Sequence, residues 1–346
     1  MKVLVVNNMA PFLWGGAEEL AEHLHRNLIR AGHDSEILRL PFQWEPASGI
    51  IDQMMLARGI ELTNVDRVIA LKFPAYLIRH PAKTLWILHQ YRQAYDLFDA
   101  GESNIADDDE GAKLRGMIKA ADEESFRSAT QVFTNSEVTR QRMLKYNGFD
   151  ASVLLPPVND PELFGECDEG GTYVFAGGRI NDLKRQHLLI DALGQTPSHV
   201  KLIIAGPADS PADVAKLHLA AKRARVTDRL LLDIRFLPRE TYAKYVREAA
   251  AVAYLPFDED SLGYVAMEAA TAGKPLITTT DSGGVQSLVL PETTGWLAEP
   301  NAASLSLALQ AVFRDPKRSK AYGAAAKELW GSFKVTWPET IERLLR

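Results

Sequence analysis

Short apolar runs alternate with amphipathic segments along nearly the whole chain. Residues 2–6 form a continuous apolar run of the kind found in a buried parallel strand. It ends at Asn7-Asn8-Met9-Ala10-Pro11, and a helix follows to about Ala31 with Leu20, Leu24, Leu28 and Ala31 on one face. A strand at 35–38 completes a β-α-β unit, and further strands are predicted at 67–71, 84–88, 131–134 and 152–155. Pro156-Pro157-Val158-Asn159-Asp160-Pro161 then breaks regular structure, because tandem prolines fix φ and remove donors. A second series follows, with strands at 173–176, 200–205, 230–236, 251–255 and 275–278 and helices at 185–193 and 212–224. Such alternation predicts an α/β chain of two doubly wound domains, 1–157 and 158–330, each with a parallel sheet between helices. The stretch 321–346 reads as helical, with Trp330, Phe333 and Trp337 as apolar anchors.

Composition narrows the function classes. The 346 residues suffice for two cores, and 39 basic against 45 acidic residues give a net charge of −6, which argues against a general nucleic-acid binder. Cys167 is the single cysteine, so no internal disulfide forms and a reducing, cytoplasmic setting is expected. The N-terminal apolar run is too short for a signal peptide, and no window approaches 18 continuous apolar residues. Peripheral contact with the inner face of a membrane stays open. The acidic run Asp107-Asp108-Asp109-Glu110 reads as a solvated loop.

The chemistry concentrates at residues 254–277. A strand runs into Asp258-Glu259-Asp260, and a helix is predicted to open at Ser261-Leu262-Gly263 and to carry Glu268 before stopping at Gly273-Lys274-Pro275. The unpaired N–H groups of a helix N-terminus seat phosphate. If both acids followed the helix axis, Asp260 and Glu268 would lie roughly 12 Å apart. That suits holding the two ends of a nucleotide sugar better than the separation of about 5 to 9.5 Å used in glycoside hydrolysis. Gly177-Gly178-Arg179 and Lys184 follow another strand end, where two cations can hold a diphosphate. Gly15-Gly16 precedes the first helix, either as a close-approach loop or as a plain tight turn, and it lacks the G-x-G-x-x-G of a dinucleotide site. His89 ends a predicted strand, at the edge where open α/β sheets bind ligands.

Asp260-x7-Glu268 with Ala269, Ala272-Gly273 and Pro275, together with Gly178-Arg179-x4-Lys184, resembles the family 4 retaining glycosyltransferases of the GT-B fold. The resemblance implies two Rossmann-like domains facing across a cleft, with a C-terminal helix, about 331–346, packing back on the first. It implies a catalytic set of His89, Asp260, Arg179 and Lys184. Glu268 would hold the ribose, and the backbone of Leu262, Gly263, Tyr264 and Val265 the diphosphate. Gly15, Gly16, Gly178, Gly206 and Phe236 would approach the donor. The implied activity moves a hexose from a UDP- or GDP-sugar to a glycan, lipid-linked or small-molecule acceptor, as in polysaccharide biosynthesis. No cofactor is expected, and no metal although Asp258-Glu259-Asp260 reads D-x-D, because Arg179 and Lys184 supply positive charge. Asp260 replaces the usual Glu, Glu259 being a substitute at hand, and Arg185 stands where many members have Gly. A non-catalytic nucleotide-sugar binding subunit and an epimerase or hydrolase on the same fold remain as alternatives.

Overall fold

A computed structural model describes residues 1–12, 14–165 and 171–346, so Cys167 lies outside the described residues. In chain order the first unit contains β1 (Lys2–Met9), α1 (Gly16–Arg30), β2 (Asp34–Pro41), α2 (Ile50–Gly59), β3 (Arg67–Ala70) and β4 (Lys83–Ile87). It continues with α3 (Asp96–Asp99), α4 (Asp109–Ser128), β5 (Gln131–Thr134), α5 (Glu137–Asn147) and β6 (Ser152–Val153). The second unit contains β7 (Val174–Gly177), α6 (Gln186–Leu193), β8 (Leu202–Ala205), α7 (Pro211–Ala224), β9 (Leu230–Asp233), α8 (Arg239–Glu248) and β10 (Ala251–Ala253). After it come α9 (Tyr264–Thr271), β11 (Leu276–Thr279), β12 (Gly295–Ala298), α10 (Ala302–Arg314) and α11 (Pro316–Ser332). The final helix, α12 (Trp337–Leu345), belongs to the first unit.

Each unit holds one six-stranded sheet in which every pairing is parallel, as continuous apolar strands require. The orders are β2-β1-β3-β4-β5-β6 and β12-β11-β10-β7-β8-β9. Strand order therefore reverses between β1 and β3 in the first sheet and between β7 and β10 in the second. Open α/β sheets bind ligands beyond the carboxyl ends of strands at such a reversal.

The chain divides after Pro157 and again after Lys334. The second division falls four residues later than the sequence places it. Trp330 is buried on α11 and packs edge-on against Phe333, and a left-handed turn at Lys334 precedes the Thr336 cap of α12. Ile341 and Leu344 of α12 then enter the apolar cluster formed by Val3, Val5, Leu20 and Leu24. Thr84 Oγ1 donates to the Leu344 carbonyl at 2.9 Å.

One expectation holds only in part in the first unit, where Asp107 to Glu110 are all exposed. Asp107 to Glu110 is no free loop: the Asp108 side chain accepts from Gly111 N at 2.8 Å and caps α4, while Asp109 and Glu110 fill its first turn. The acids complement the positive end of that helix. Further along α4, Asp122 is fully buried and accepts from the hydroxyls of Tyr76 at 2.9 Å and Tyr95 at 2.7 Å. Burial is the main cause that pushes its carboxyl up to about 7. Lys83, also buried, donates to the Tyr76 and Ile78 carbonyls and to Ser125 Oγ, and burial lowers its pKa to about 8.

Candidate functional site

The reversal between β7 and β10 sets the second unit's site. Gly178, just past β7, and Gly206, just past β8, lie back to back. Gly206 has φ +146°, and a Cβ there would fall 2.1 Å from the Gly178 carbonyl oxygen, so only glycine allows this approach. A Cβ on Gly178 would meet Val265 Cγ2, in the first turn of α9, at 3.3 Å. The two glycine loops thus sit against the N-terminus of α9.

That helix begins later than the sequence predicts. Gly263 is its N-cap at φ +78°, outside helical space, and no side chain caps it. Asp260 consequently lies in the preceding loop, and the 12 Å separation, which assumed a continuous axis, does not apply. A Cβ at Gly263 would lie 2.4 Å from Tyr254 Cε1, so the ring of Tyr254 holds the helix opening in place. The ring carries a hydroxyl that accepts from Lys184 Nζ at 2.9 Å and donates to Glu259 Oε2 at 3.4 Å. Lys184 also pairs directly with Glu259. Burial works against the Lys184 charge, but Tyr254 and Glu259 outweigh it and hold the ammonium above the ordinary lysine value. Burial, with the Glu259 charge, pushes the Tyr254 phenol up to about 12.

The acidic loop is pinned from behind. Gly284 N donates to the Glu259 carbonyl at 2.8 Å, and Asp258 N donates to the Asp281 carbonyl at 2.8 Å. Arg185 ties both flanks together. Its guanidinium donates to the Leu255 and Pro256 carbonyls at 2.9 and 3.0 Å, to Thr279 Oγ1 at 2.8 Å, and to both Asp281 oxygens at 2.7 and 2.8 Å. Its backbone sits at φ +53°, a conformation that glycine adopts at less cost.

Glu268 is 2% exposed and pairs with Arg239 Nη1 at 2.6 Å. Arg239 also donates to the Asn159 carbonyl at 2.8 Å and lies over the Phe164 ring. The buried Tyr242 hydroxyl also faces this carboxylate, and burial together with the Glu268 charge raises the phenol's pKa. Asp260 is 8% exposed. Arg179 stands at the rim, 38% exposed, with Nε 3.5 Å from Asp209 Oδ1. Phe236, in the loop after β9, is 66% exposed.

Three of the remaining sequence candidates lie in the first unit. Gly15 caps α1, and its N–H donates to Glu18 Oε2 at 3.0 Å. Glu18 in turn receives Lys72 Nζ at 2.9 Å, beyond β3. Gly16 opens the helix, and His89, beyond β4, places Nδ1 2.8 Å from the Gln90 carbonyl oxygen. Asn7 and Asn8, at the end of β1, keep buried side-chain carbonyl oxygens without a hydrogen-bond partner.

Sequence reasoning missed Tyr254, Arg239 and the clamp made by Arg185. Arg239 carries no local signal beyond Pro238 ahead of a helix. Tyr254 stands inside the key stretch, yet spacing alone does not reveal that its hydroxyl turns toward Lys184.

Comparison with known proteins supports the motif resemblance. Residues 165–329 match the family described as glycosyl transferases group 1. That stretch is similar to group 1 glycosyl transferases. The chain is 32% identical over 216 residues to a D-inositol 3-phosphate glycosyltransferase of Jonesia denitrificans, a match covering 57% of this chain and 49% of that protein. It is 26% identical over 194 residues to an alpha-maltose-1-phosphate synthase of Mycolicibacterium smegmatis, covering 53% and 50%. The chain thus spans about half the length of the curated relatives it matches. Among solved structures, Anabaena HepE, in complex with UDP and glucose, superposes with a TM-score of 0.72 at 18% identity, covering 99% of this chain and 98% of that one. Sucrose-phosphate synthase from Thermosynechococcus elongatus gives 0.76 at 17% identity, covering 99% and 97%. These likenesses establish the GT-B fold, two Rossmann-like α/β units, and the motif resemblance to group 1 glycosyl transferases holds. No described helix is long and apolar enough to cross a membrane.

Proposed function

We propose that the protein is a retaining glycosyltransferase that moves a hexose from a UDP- or GDP-sugar to a glycan, lipid-linked or small-molecule acceptor without a metal ion. The observation that carries this reading is the grouping at one sheet reversal of the Lys184 ammonium, the uncapped α9 N-terminus and the buried Glu268. Lys184 and the first N–H groups of α9 would hold the diphosphate, with Arg179 adding charge from the rim. They stabilise charge as it grows on the departing phosphate, which lowers the barrier itself. Glu268 would accept from the ribose hydroxyls while Arg239 fixes its carboxylate. Asp260 would orient the sugar. Glu259 is a poor substitute for it, because its carboxylate is engaged on Lys184 and Tyr254.

Retention follows if the new bond forms on the face the diphosphate leaves, the departing oxygen taking the acceptor's proton. No strong protein base is then needed. His89 and Gly16, at the sheet edge of the first unit, would line the acceptor side. Similar proteins support the donor class by analogy: HepE has been solved with UDP-glucose, and relatives are named for an inositol phosphate acceptor or a maltose phosphate product. We place the protein in the cytoplasm, with peripheral membrane contact where the acceptor is lipid-linked.

The test is release of free nucleotide from UDP-glucose and from GDP-mannose, with and without an acceptor panel, in wild type and Lys184→Ala. Release that rises with acceptor and falls at least a hundredfold in the variant supports a transferase. Acceptor-independent release points to the hydrolase, and binding without release to a non-catalytic subunit.

A further inference from the structure

Glu259 lies next to Asp260 but outside the two-acid spacing, and the donor-site reading assigns it nothing. Its carboxylate nevertheless reaches the main phosphate-binding cation: it pairs with Lys184, and the Tyr254 hydroxyl bonds to both groups. The backbone beneath it cannot retreat. Glu259 pairs with Gly283 in a short parallel bridge, its carbonyl accepts from Gly284 N at 2.8 Å, and a Cβ at Gly283 would fall 2.3 Å from that carbonyl oxygen. Arg185 and Asp281 close the loop from the other side. Any phosphate that engages Lys184 therefore does so with a fixed carboxylate within one side chain's reach.

Repulsion from that carboxylate scales with the charge of the phosphate. A nucleoside diphosphate sugar carries two negative charges. Once the glycosyl group has left, the terminal phosphate gains another ionisable oxygen whose pKa is near 6, so the product carries about three at neutral pH. One extra unit charge about 6 Å away, at an effective dielectric between protein surface and water, corresponds to roughly a tenfold change in affinity.

Resting on the donor-site reading, we propose that Glu259 is a specificity-determining residue that disfavours the nucleoside diphosphate product relative to the nucleotide-sugar donor and so drives product release. It acts by keeping a negative charge beside Lys184 while Tyr254 holds the pair in register.

The test is calorimetric binding of UDP, UDP-glucose, GDP and GDP-mannose to wild type and to Glu259→Gln, an isosteric change that keeps an acceptor for Lys184. The expected result is tighter binding of the diphosphate in the variant and a preference for diphosphate over its sugar that rises about tenfold. Product inhibition in turnover should strengthen by the same factor. Glu259→Ala should move in the same direction, which keeps the test decisive if either variant folds poorly. A wild type that binds these ligands alongside a variant whose preference shifts less than threefold overturns the proposal alone. Absence of binding to both proteins overturns the donor-site reading and the proposal with it.

Discussion

Replacing Arg185 by alanine removes five hydrogen bonds from a side chain that is 12% exposed. Charge-assisted bonds contribute roughly 1.5 to 3 kcal/mol each, but they do not add, and stripping one partner from a buried ion pair costs about 3 to 5 kcal/mol in all. The Asp281 carboxylate, at 31% exposure, regains water and recovers part of that, so about 3 kcal/mol is expected. Lysine keeps the charge but not the planar fork, and should lose about half as much. Glycine makes none of the bonds, yet it relieves the left-handed φ of +53°. That relief of roughly 1 to 2 kcal/mol is partly offset by glycine's greater chain entropy, about 0.5 to 1 kcal/mol. The predicted order of stability is therefore wild type, Arg185→Lys, Arg185→Gly, Arg185→Ala. Urea unfolding followed by fluorescence and circular dichroism gives these differences. Because the clamp spans both flanks of the acidic loop, the Arg185→Ala protein should also bind UDP or GDP more than tenfold less tightly. An alanine variant within 0.5 kcal/mol of wild type, or glycine clearly below alanine, would show that Arg185 does not clamp the loop.

Three further outcomes follow from the same geometry. Gly263→Ala places a Cβ 2.4 Å from the Tyr254 ring at φ +78°, so it should displace Tyr254 and lower nucleotide affinity at least tenfold in calorimetry, whereas a normal Kd would show that the ring does not set the helix opening. Gly206→Ala drives a Cβ to 2.1 Å from the Gly178 carbonyl and should lower the melting temperature by several degrees, with an unchanged melt contradicting the back-to-back glycine loops. In the first unit the folded Asp122 carboxyl titrates near 7, above its unfolded value near 4. Between those values the folded chain holds a proton that the unfolded chain has lost. Stability from this group is thus full below about pH 4 and falls, by up to roughly 4 kcal/mol, as pH rises through 7. Melting curves from pH 4 to 8 should show wild type declining relative to Asp122→Asn, and parallel curves would remove Asp122 as the cause.

Much of the fold was legible because buried parallel strands are continuous apolar runs and their connecting helices are amphipathic. Segments without that contrast were not. No element was predicted over 42–65, yet α2 forms there with Met55 at 63% and Leu56 at 56% exposure, so its apolar residues do not mark one face. In α8 only Ala243 and Val246 are buried, leaving too thin a stripe to read. The site divides in the same way. Gly178, Lys184, Gly263 and Glu268 could be named from local spacing and strand ends, and Gly206 from the family resemblance. The partners that set their electrostatics could not: Glu259 meets Lys184 across 75 residues, and Arg185 reaches Asp281 across 96. Such pairs arise from sheet order, which no local pattern encodes. The start of α9 was misplaced for a related reason, since the left-handed turn at Gly263 is fixed by the Tyr254 ring packed against it.

On the proposed reading, residues 178–268 build a metal-independent nucleoside diphosphate site. Calorimetric titration of UDP, GDP, ADP and CMP into wild type and Glu268→Ala, first with a chelator and then with manganese, tests it most directly. The expected result is chelator-resistant binding of one diphosphate by wild type and its loss in the variant. Binding that needs manganese, or that survives the loss of Glu268 unchanged, would contradict it.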